Sequence, residues 1–337
     1  MAAWCGIAAQ PMDSLPDGDM TVPPHIRLGR GREFDVIEAA LVRWGPLAEG
    51  VGDDCAVLDV QPGDRLVMSL DTALEDVHFR RDWLTPEEIG YRATAAAISD
   101  LAAMAATPLG VAVALTLPEA WRGDFLRLCD GIGDAVRVAG ARIVGGDLTR
   151  GERLSLSVTV LGHVRVPLAR AGARPGDAVF VTGRLGGPVL AIGAWERGES
   201  PPDACRARFA RPVPRLAEAR WLAAQGATAG MDVSDGVVSE ASHLAAAGGV
   251  RIVMELDRLP LLSPATVADA ARSGEEYELV ITAPPGIDSA EFERRFALPL
   301  TQIGVVEAGG AGRAPLETRL RGVSVDPPRG HDHFGHP

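Results

Sequence analysis

Two residue types are missing from this 337-residue chain: it contains no lysine and no asparagine, so all 33 of its Lys-plus-Arg residues are arginines. The absences exclude two ways of handling a nucleotide. A Walker A loop places a lysine on the phosphates, and a protein-kinase fold needs a strand lysine and a catalytic-loop asparagine. Any phosphate bound here must be met by arginine, backbone N–H groups and metal ions. Aromatic residues are scarce, at 5%. The four cysteines, Cys5, Cys55, Cys129 and Cys205, are widely spaced and form no CxxC pair. That argues against a disulfide framework or a structural zinc, and a reducing cytoplasm fits best. No apolar run approaches the ~18 residues that a membrane helix needs. The net charge of −12 makes non-specific binding to nucleic acid or anionic membrane an unfavourable prospect.

What is present is a globular composition, 47% apolar and 23% charged, with length enough for two cores. Residues 1–28 read as a disordered N-terminal extension. Apolar periodicity then alternates between strand and helix. Thr85-Pro86-Glu87-Glu88 is a capping box, so a helix is expected over about 86–106. Strands are expected at 65–70, 110–117, 141–145 and 154–162, with a helix at 120–139, arranged in repeated β–α–β crossings. The Gly/Pro/Ala-rich stretch 167–177 reads as a junction. It separates an N-terminal domain (29–166) from a C-terminal domain (167–337). The second half predicts strands at 178–182, 229–233, 250–256, 277–283 and 301–306. Its helices are expected at about 185–196, 213–225, 236–247, 264–272 and 289–296.

The acids are unevenly placed. Asp54, Asp71, Asp147, Asp232 and Asp235 each follow an apolar strand or occupy a Gly-flanked turn. Asp100 sits among Ile, Leu, Ala and Met in a predicted helix, where an unpaired carboxylate costs several kcal/mol. Read alone, Asp100 is equally a residue on a solvated face or a partner for an arginine. Together the six suit hard divalent cations that share coordination with polyphosphate. Gly145-Gly146 and Gly236 would let backbone approach an anion closely. The Ser234-Asp235-Gly236 turn precedes an apolar helix, as either a plain N-cap or a phosphate contact. The residues therefore point to multi-metal phosphoryl transfer.

Nine motifs occur in an order that is itself informative. They are Gly52-Asp53-Asp54, Ser69-Leu70-Asp71-Thr72, Val77-His78-Phe79, Ser99-Asp100-Leu101-Ala102-Ala103-Met104 and Gly145-Gly146-Asp147-Leu148-Thr149-Arg150-Gly151. Arg170-Ala171-Gly172-Ala173-Arg174-Pro175-Gly176-Asp177, Val181-Thr182-Gly183, Met231-Asp232-Val233-Ser234-Asp235-Gly236 and Gly274-Glu275-Glu276-Tyr277-Glu278-Leu279 follow. From about Gly31 onward the chain resembles the thiamine-monophosphate kinases, which share a superfamily with aminoimidazole ribonucleotide synthetase. The resemblance implies a two-domain α/β (α+β) fold of that superfamily, with N-terminal-domain strands contributing to a homodimer barrel. It implies Mg2+ ions, ATP as co-substrate and thiamine monophosphate as phosphate acceptor, with no covalent nucleophile. By position it implies magnesium ligands at Asp54, Ser69, Asp71, Asp100, Asp147, Asp232 and Asp235, with the Leu70 carbonyl beside them. ATP contacts fall at Gly146, Asp147, Arg170 and Ser234, and substrate contacts at His78, Glu275 and His331.

Three departures stand against the family pattern. Glu276 replaces an aspartate, and Ser273 a glycine. His331 stands where an aromatic is usual, and Met104-Ala105 replaces Met-Gly, implying altered helix packing. Another ATP-dependent enzyme of the superfamily, or a non-catalytic nucleotide-binding regulator, remains as the alternative.

Overall fold

The computed structural model describes residues 3–6, 25, 32–53, 55–310 and 312–328. They fall into two compact units, residues 1–101 with 107–165, and residues 102–106 with 166–337.

The first unit is built on β1 (Ala3–Gly6), α1 (Arg32–Trp44), β2 (Val51–Asp53), β3 (Arg65–Leu74) and α2 (Pro86–Ala103). These are followed by β4 (Thr107–Leu117), α3 (Phe125–Ala139), β5 (Arg142–Arg150) and β6 (Ser155–Val164). The six strands run in the order β2-β1-β5-β4-β6-β3. Only β4 and β5 are parallel, joined through α3; the remaining neighbours are antiparallel. Repeated β–α–β crossings were expected, but alternation of strand and helix along a chain does not fix strand direction. Ala3–Gly6 pair with both β2 and β5, and the rest of the expected 1–28 extension, apart from His25, lies outside the described residues. On β6 every second residue is buried, the alternation of a sheet packed on one face. Leu156, Val158 and Val160 supply that face, with Val111 and Val113 of β4, Ile98 of α2 and Ile132 of α3 in the same core.

α2 and α3 approach backbone to backbone. A Cβ on Gly131 would lie 1.9 Å from the Glu87 carbonyl oxygen, and one on Gly90 2.2 Å from that of Leu128. The expected capping box is present: the Glu88 amide donates to Thr85 Oγ1, and the Thr85 amide to Glu88 Oε2. The helix stops at Ala103, three residues short of expectation. Ala105, where the family has glycine, adopts left-handed backbone (φ 54°). The departure at Ala105 is therefore a matter of backbone conformation, and an L-residue there is strained by about 1 kcal/mol.

The second unit holds β7 (Ala178–Thr182), α4 (Gly187–Glu196), α5 (Asp203–Ala210), α6 (Leu216–Ala224), β8 (Ala229–Asp232) and α7 (Val237–Gly248). β9 (Val250–Glu255), α8 (Val267–Arg272), β10 (Leu279–Ala283), α9 (Ser289–Phe296), β11 (Leu300–Ala308), β12 (Leu316–Leu320) and β13 (Val323–Val325) complete it. Its sheet runs β13-β12-β9-β11-β7-β10-β8, and within this sheet β12 and β9 are the one parallel pair among the described strands. β7, β8 and β10 are buried along their whole lengths. Val179, Val181, Met231, Val280 and Ile303 form a core with Val237, Ala241 and Leu244 of α7. α8 begins at Val267 rather than 264, because Thr266 is the residue that caps it, accepting from the Asp269 amide. α1, α5, β12 and β13 were not anticipated. α5 lacks an apolar stripe, carrying charged residues on several sides (DACRARFA).

Candidate functional site

In the first unit, Ser69, Leu70 and Asp71 lie on β3, the edge strand of the sheet. Strand alternation sends Ser69 and Asp71 to one face and Leu70 to the other. Ser69 Oγ donates to Asp100 Oδ2 of α2 at 2.5 Å, so the mid-helix carboxylate is half-buried and hydrogen-bonded. Gly146 and Asp147 lie on β5. The register runs Asp71–Val158–Val113–Gly146 across β3, β6, β4 and β5, so Asp71 is level with the Gly146-Asp147 pair. Asp147 Oδ1 is buried and has no hydrogen-bond partner among the described residues. His78 closes a tight turn after β3, and its Nδ1 accepts the Leu74 amide at 3.2 Å. In the neutral ring this leaves the hydrogen on Nε2. Asp54 and His331 lie outside the described residues.

In the second unit, buried Asp232 ends β8, and Ser234, Asp235 and Gly236 turn the chain into α7. Gly236 has a φ of 126°, which an L-residue rarely adopts. The segment after α8 is tied to this turn by four backbone hydrogen bonds. Glu275 N–H donates to Ser234 O at 2.6 Å, and the Glu276 and Tyr277 amides to Val233 O at 3.0 and 2.9 Å. Val233 N–H donates in return to Glu278 O at 2.7 Å. A Cβ on Gly274 would lie 2.6 Å from Ser234 O. Asp232, Ser234, Asp235 and Glu275, distant in sequence, thus share one stitched backbone. Arg170 is exposed on a 3-10 turn, Arg170–Gly172, packed against α7 and β8. Among the described residues, no three His, Cys, Asp or Glu side chains converge as a ready-made metal cage.

Behind the stitched segment lies a charged network that the sequence reading did not single out. Glu278 is fully buried; it accepts from Arg215 Nε at 2.8 Å, Thr182 Oγ1 at 2.6 Å and Arg208. Burial alone would raise its carboxyl, but the Arg208 and Arg215 guanidiniums outweigh that and hold it below the usual range. Glu276, also fully buried, accepts the Gly186 amide at the start of α4. Burial pushes it up to about 7 against the pull of Arg208. The methylene added by Glu276 thus extends into α4 rather than toward a ligand. Ser273 is buried as well. Glu240, on the first turn of α7, is a second missed residue. It is buried, its Oε1 accepts the Asp235 amide at 2.8 Å, and burial pushes its carboxyl up to about 8. The one available signal was a lone acid in the apolar run VVSEASHLAAA.

The two sheets and their order along the chain coincide with two known domains. Residues 52–164 match the model of AIR synthase related protein, N-terminal domain, and residues 174–317 that of the C-terminal domain. That pair of domains defines the class. The thiamine-monophosphate kinase of Bacillus subtilis (strain 168) is 30% identical over 327 residues, covering 90% of this chain and 99% of the relative. The crystal structure of thiamine-monophosphate kinase from Stenotrophomonas maltophilia K279a superposes with a TM-score of 0.75 at 33% identity, over 87% of this chain and 98% of the other. AaThiL, solved in complex with AMPPCP and TMP, superposes with a TM-score of 0.70 at 29% identity, over 82% and 90%. The chain belongs to the thiamine-monophosphate kinase family of the AIR synthase related proteins.

Proposed function

We propose that this protein is a thiamine-phosphate kinase, transferring the γ-phosphoryl group of ATP to the phosphate of thiamine monophosphate to give thiamine diphosphate. The family membership supports the activity, and AaThiL, held with AMPPCP and TMP, supports both substrates. The observation that carries the reading to this chain's residues is the stitching of Glu275 to the Asp232–Ser234–Asp235 turn.

Donor and acceptor are both anionic, so their repulsion is the central problem. Mg2+, when bound, would neutralise charge on the phosphates and favour an in-line arrangement. The donor set fits a hard divalent cation: among the described residues, a buried carboxylate oxygen on Asp147 has no hydrogen bond to compensate its lost water. Asp54, Ser69, Asp71, Asp100 and Asp147 in one unit, and Asp232 and Asp235 in the other, would hold such ions. Gly146 offers backbone without a side chain in the way, and Ser234 and Arg170 would donate to phosphate oxygens. His78, Glu275 and His331 would orient the acceptor. The acceptor phosphate is already deprotonated near neutral pH, so no side chain needs to act as base or nucleophile.

The protein is further proposed to work as a homodimer in the cytoplasm. Leu66, Met68 and Leu70 stand exposed on the outer face of edge strand β3, an apolar row suited to pairing with a second copy. Among the described residues no helix is long and apolar enough to cross a membrane.

The test is a coupled assay for thiamine diphosphate from ATP and thiamine monophosphate with Mg2+. Turnover should vanish in EDTA, and in Asp147→Ala with the fold retained. No product from the wild-type protein with Mg2+, or full activity in chelator, would overturn the reading.

A further inference from the structure

Two residues between α8 and β10 hold left-handed backbone without being glycine: Glu275 (φ 61°) and Tyr277 (φ 53°). Such backbone persists in L-residues only where the surroundings enforce it. Here the amides of Glu275, Glu276 and Tyr277 are fixed to the Ser234 and Val233 carbonyls. On either side of Tyr277, Glu276 and Glu278 are anchored in the buried arginine network. The two left-handed residues flank Glu276, and this path brings the Tyr277 hydroxyl back toward the start of the loop. It donates to Glu275 Oε2 at 2.6 Å. The tyrosine is 8% exposed, whereas Glu275 is half-buried.

The contact has a direct consequence for recognition. A glutamate side chain is rich in rotamers, and a ligand that must fix it loses affinity in doing so. The phenol does the fixing before any ligand arrives, through its short hydrogen bond to Glu275 Oε2. An anionic carboxylate repels phosphate and attracts N–H donors or cationic rings. Glu275 therefore addresses the nitrogen-bearing heterocycle of the acceptor and not its phosphate.

We propose that Tyr277 is a positioning residue that presents the Glu275 carboxylate to the nitrogen heterocycle of the phosphate acceptor; the identity of that acceptor rests on the kinase reading above. Tyr277 itself touches no reacting atom and acts through Glu275.

The test uses the full chain as wild type, Tyr277→Phe, Glu275→Gln and the double variant. Tyr277→Phe should raise the KM and Kd for thiamine monophosphate about five- to tenfold, the cost of ordering one rotamer-rich side chain on binding. It should leave kcat and the KM for ATP within about twofold. The double variant should bind no more weakly than Glu275→Gln alone, because the hydroxyl works only through the carboxylate. An unchanged Kd in Tyr277→Phe, an additive cycle, or an equal rise in both KM values with lowered Tm would each overturn the proposal. A substrate-free readout separates its failure from that of the kinase reading. The chain has only two tyrosines, Tyr91 and Tyr277, so 3-fluorotyrosine labelling gives two 19F resonances. The Tyr277 resonance should shift in Glu275→Gln; an unmoved resonance refutes the contact whatever the substrate. A shifted resonance in a wild-type protein that binds no thiamine monophosphate would leave the contact standing, sink the kinase reading and overturn the assigned ligand.

Discussion

Replacing Glu278 by glutamine should destabilise the second unit far more than an isosteric change at an ordinary site. The carboxylate is fully buried and receives donors from Thr182, Arg208 and Arg215. A glutamine amide presents N–H to guanidinium N–H at one of its two positions. It also removes the charge that both arginines face. Arg208 would then rely on Glu276, with 3.4 Å from its Nε to Glu276 Oε2, and Arg215 on Glu218 at 3.7 Å. Breaking a buried pair on one side typically costs about 3–5 kcal/mol, because the other charge stays buried and uncompensated. At roughly 2–4 °C per kcal/mol for a unit of this size, Tm should fall by about 6–20 °C. Urea unfolding should show a lower midpoint with an unchanged slope. The effect also has a pH signature. A carboxyl held low in the folded state contributes stability above its unfolded value, and that stability is lost as pH falls through the folded value. The gap between wild type and Glu278→Gln should therefore be full at neutral pH and shrink in acid. A loss below about 1 kcal/mol at pH 7 would refute the reasoning, since that is the scale of an exposed ion pair.

Ala105→Gly should raise stability by no more than about 0.6 kcal/mol in urea unfolding, since the ~1 kcal/mol of left-handed strain that glycine relieves at the end of α2 is offset by about 0.4–1 kcal/mol of added unfolded-chain entropy; a loss above about 1 kcal/mol would contradict the strain. Gly131→Ala should destabilise by at least about 3 kcal/mol, because its methyl would overlap the Glu87 carbonyl oxygen and drive α2 and α3 apart; a loss under 1 kcal/mol would contradict the close crossing. Glu240→Gln tests the buried carboxyl behind Asp235. Its folded value, about 8, lies above the ordinary 4.5, so the wild-type contribution is complete below the ordinary value and is lost as pH rises through about 8. In chelator, the variant's advantage should grow from pH 5 to pH 8, by at most about 1.4 kcal/mol per unit; a flat difference would refute it.

The sequence was most legible where burial is uniform or caps are explicit. β7 begins and ends where the apolar run AVFVT places it, and α9 where the amphipathic segment SAEFERRF does. Strand direction was not legible, because a helix between two strands is compatible with either sense. α5 and the β12–β13 ribbon escaped for want of an apolar period; all three residues of β13 are exposed. Asp71 and Asp147 were expected just past strands at 65–70 and 141–145, but β3 and β5 run on through them to Leu74 and Arg150, and of the described strand-end acids only Asp232 ends its strand. What joins Glu275 to Ser234 is an exchange of amides and carbonyls, which every residue possesses and no side-chain pattern records. The roles of Tyr277, Glu240 and the Arg208–Arg215 network arise from that backbone path.

The four amide–carbonyl links between residues 233–234 and 275–278 also bear on engineering a new acceptor specificity. A loop grafted at 273–278 alone would still meet the Val233 and Ser234 carbonyls, but without carboxylates at 276 and 278 it would leave Arg208 and Arg215 uncompensated. The donor fragment must carry the arginines beneath as one cassette. Redesign by single-loop exchange should cost the second unit stability before it yields any new recognition.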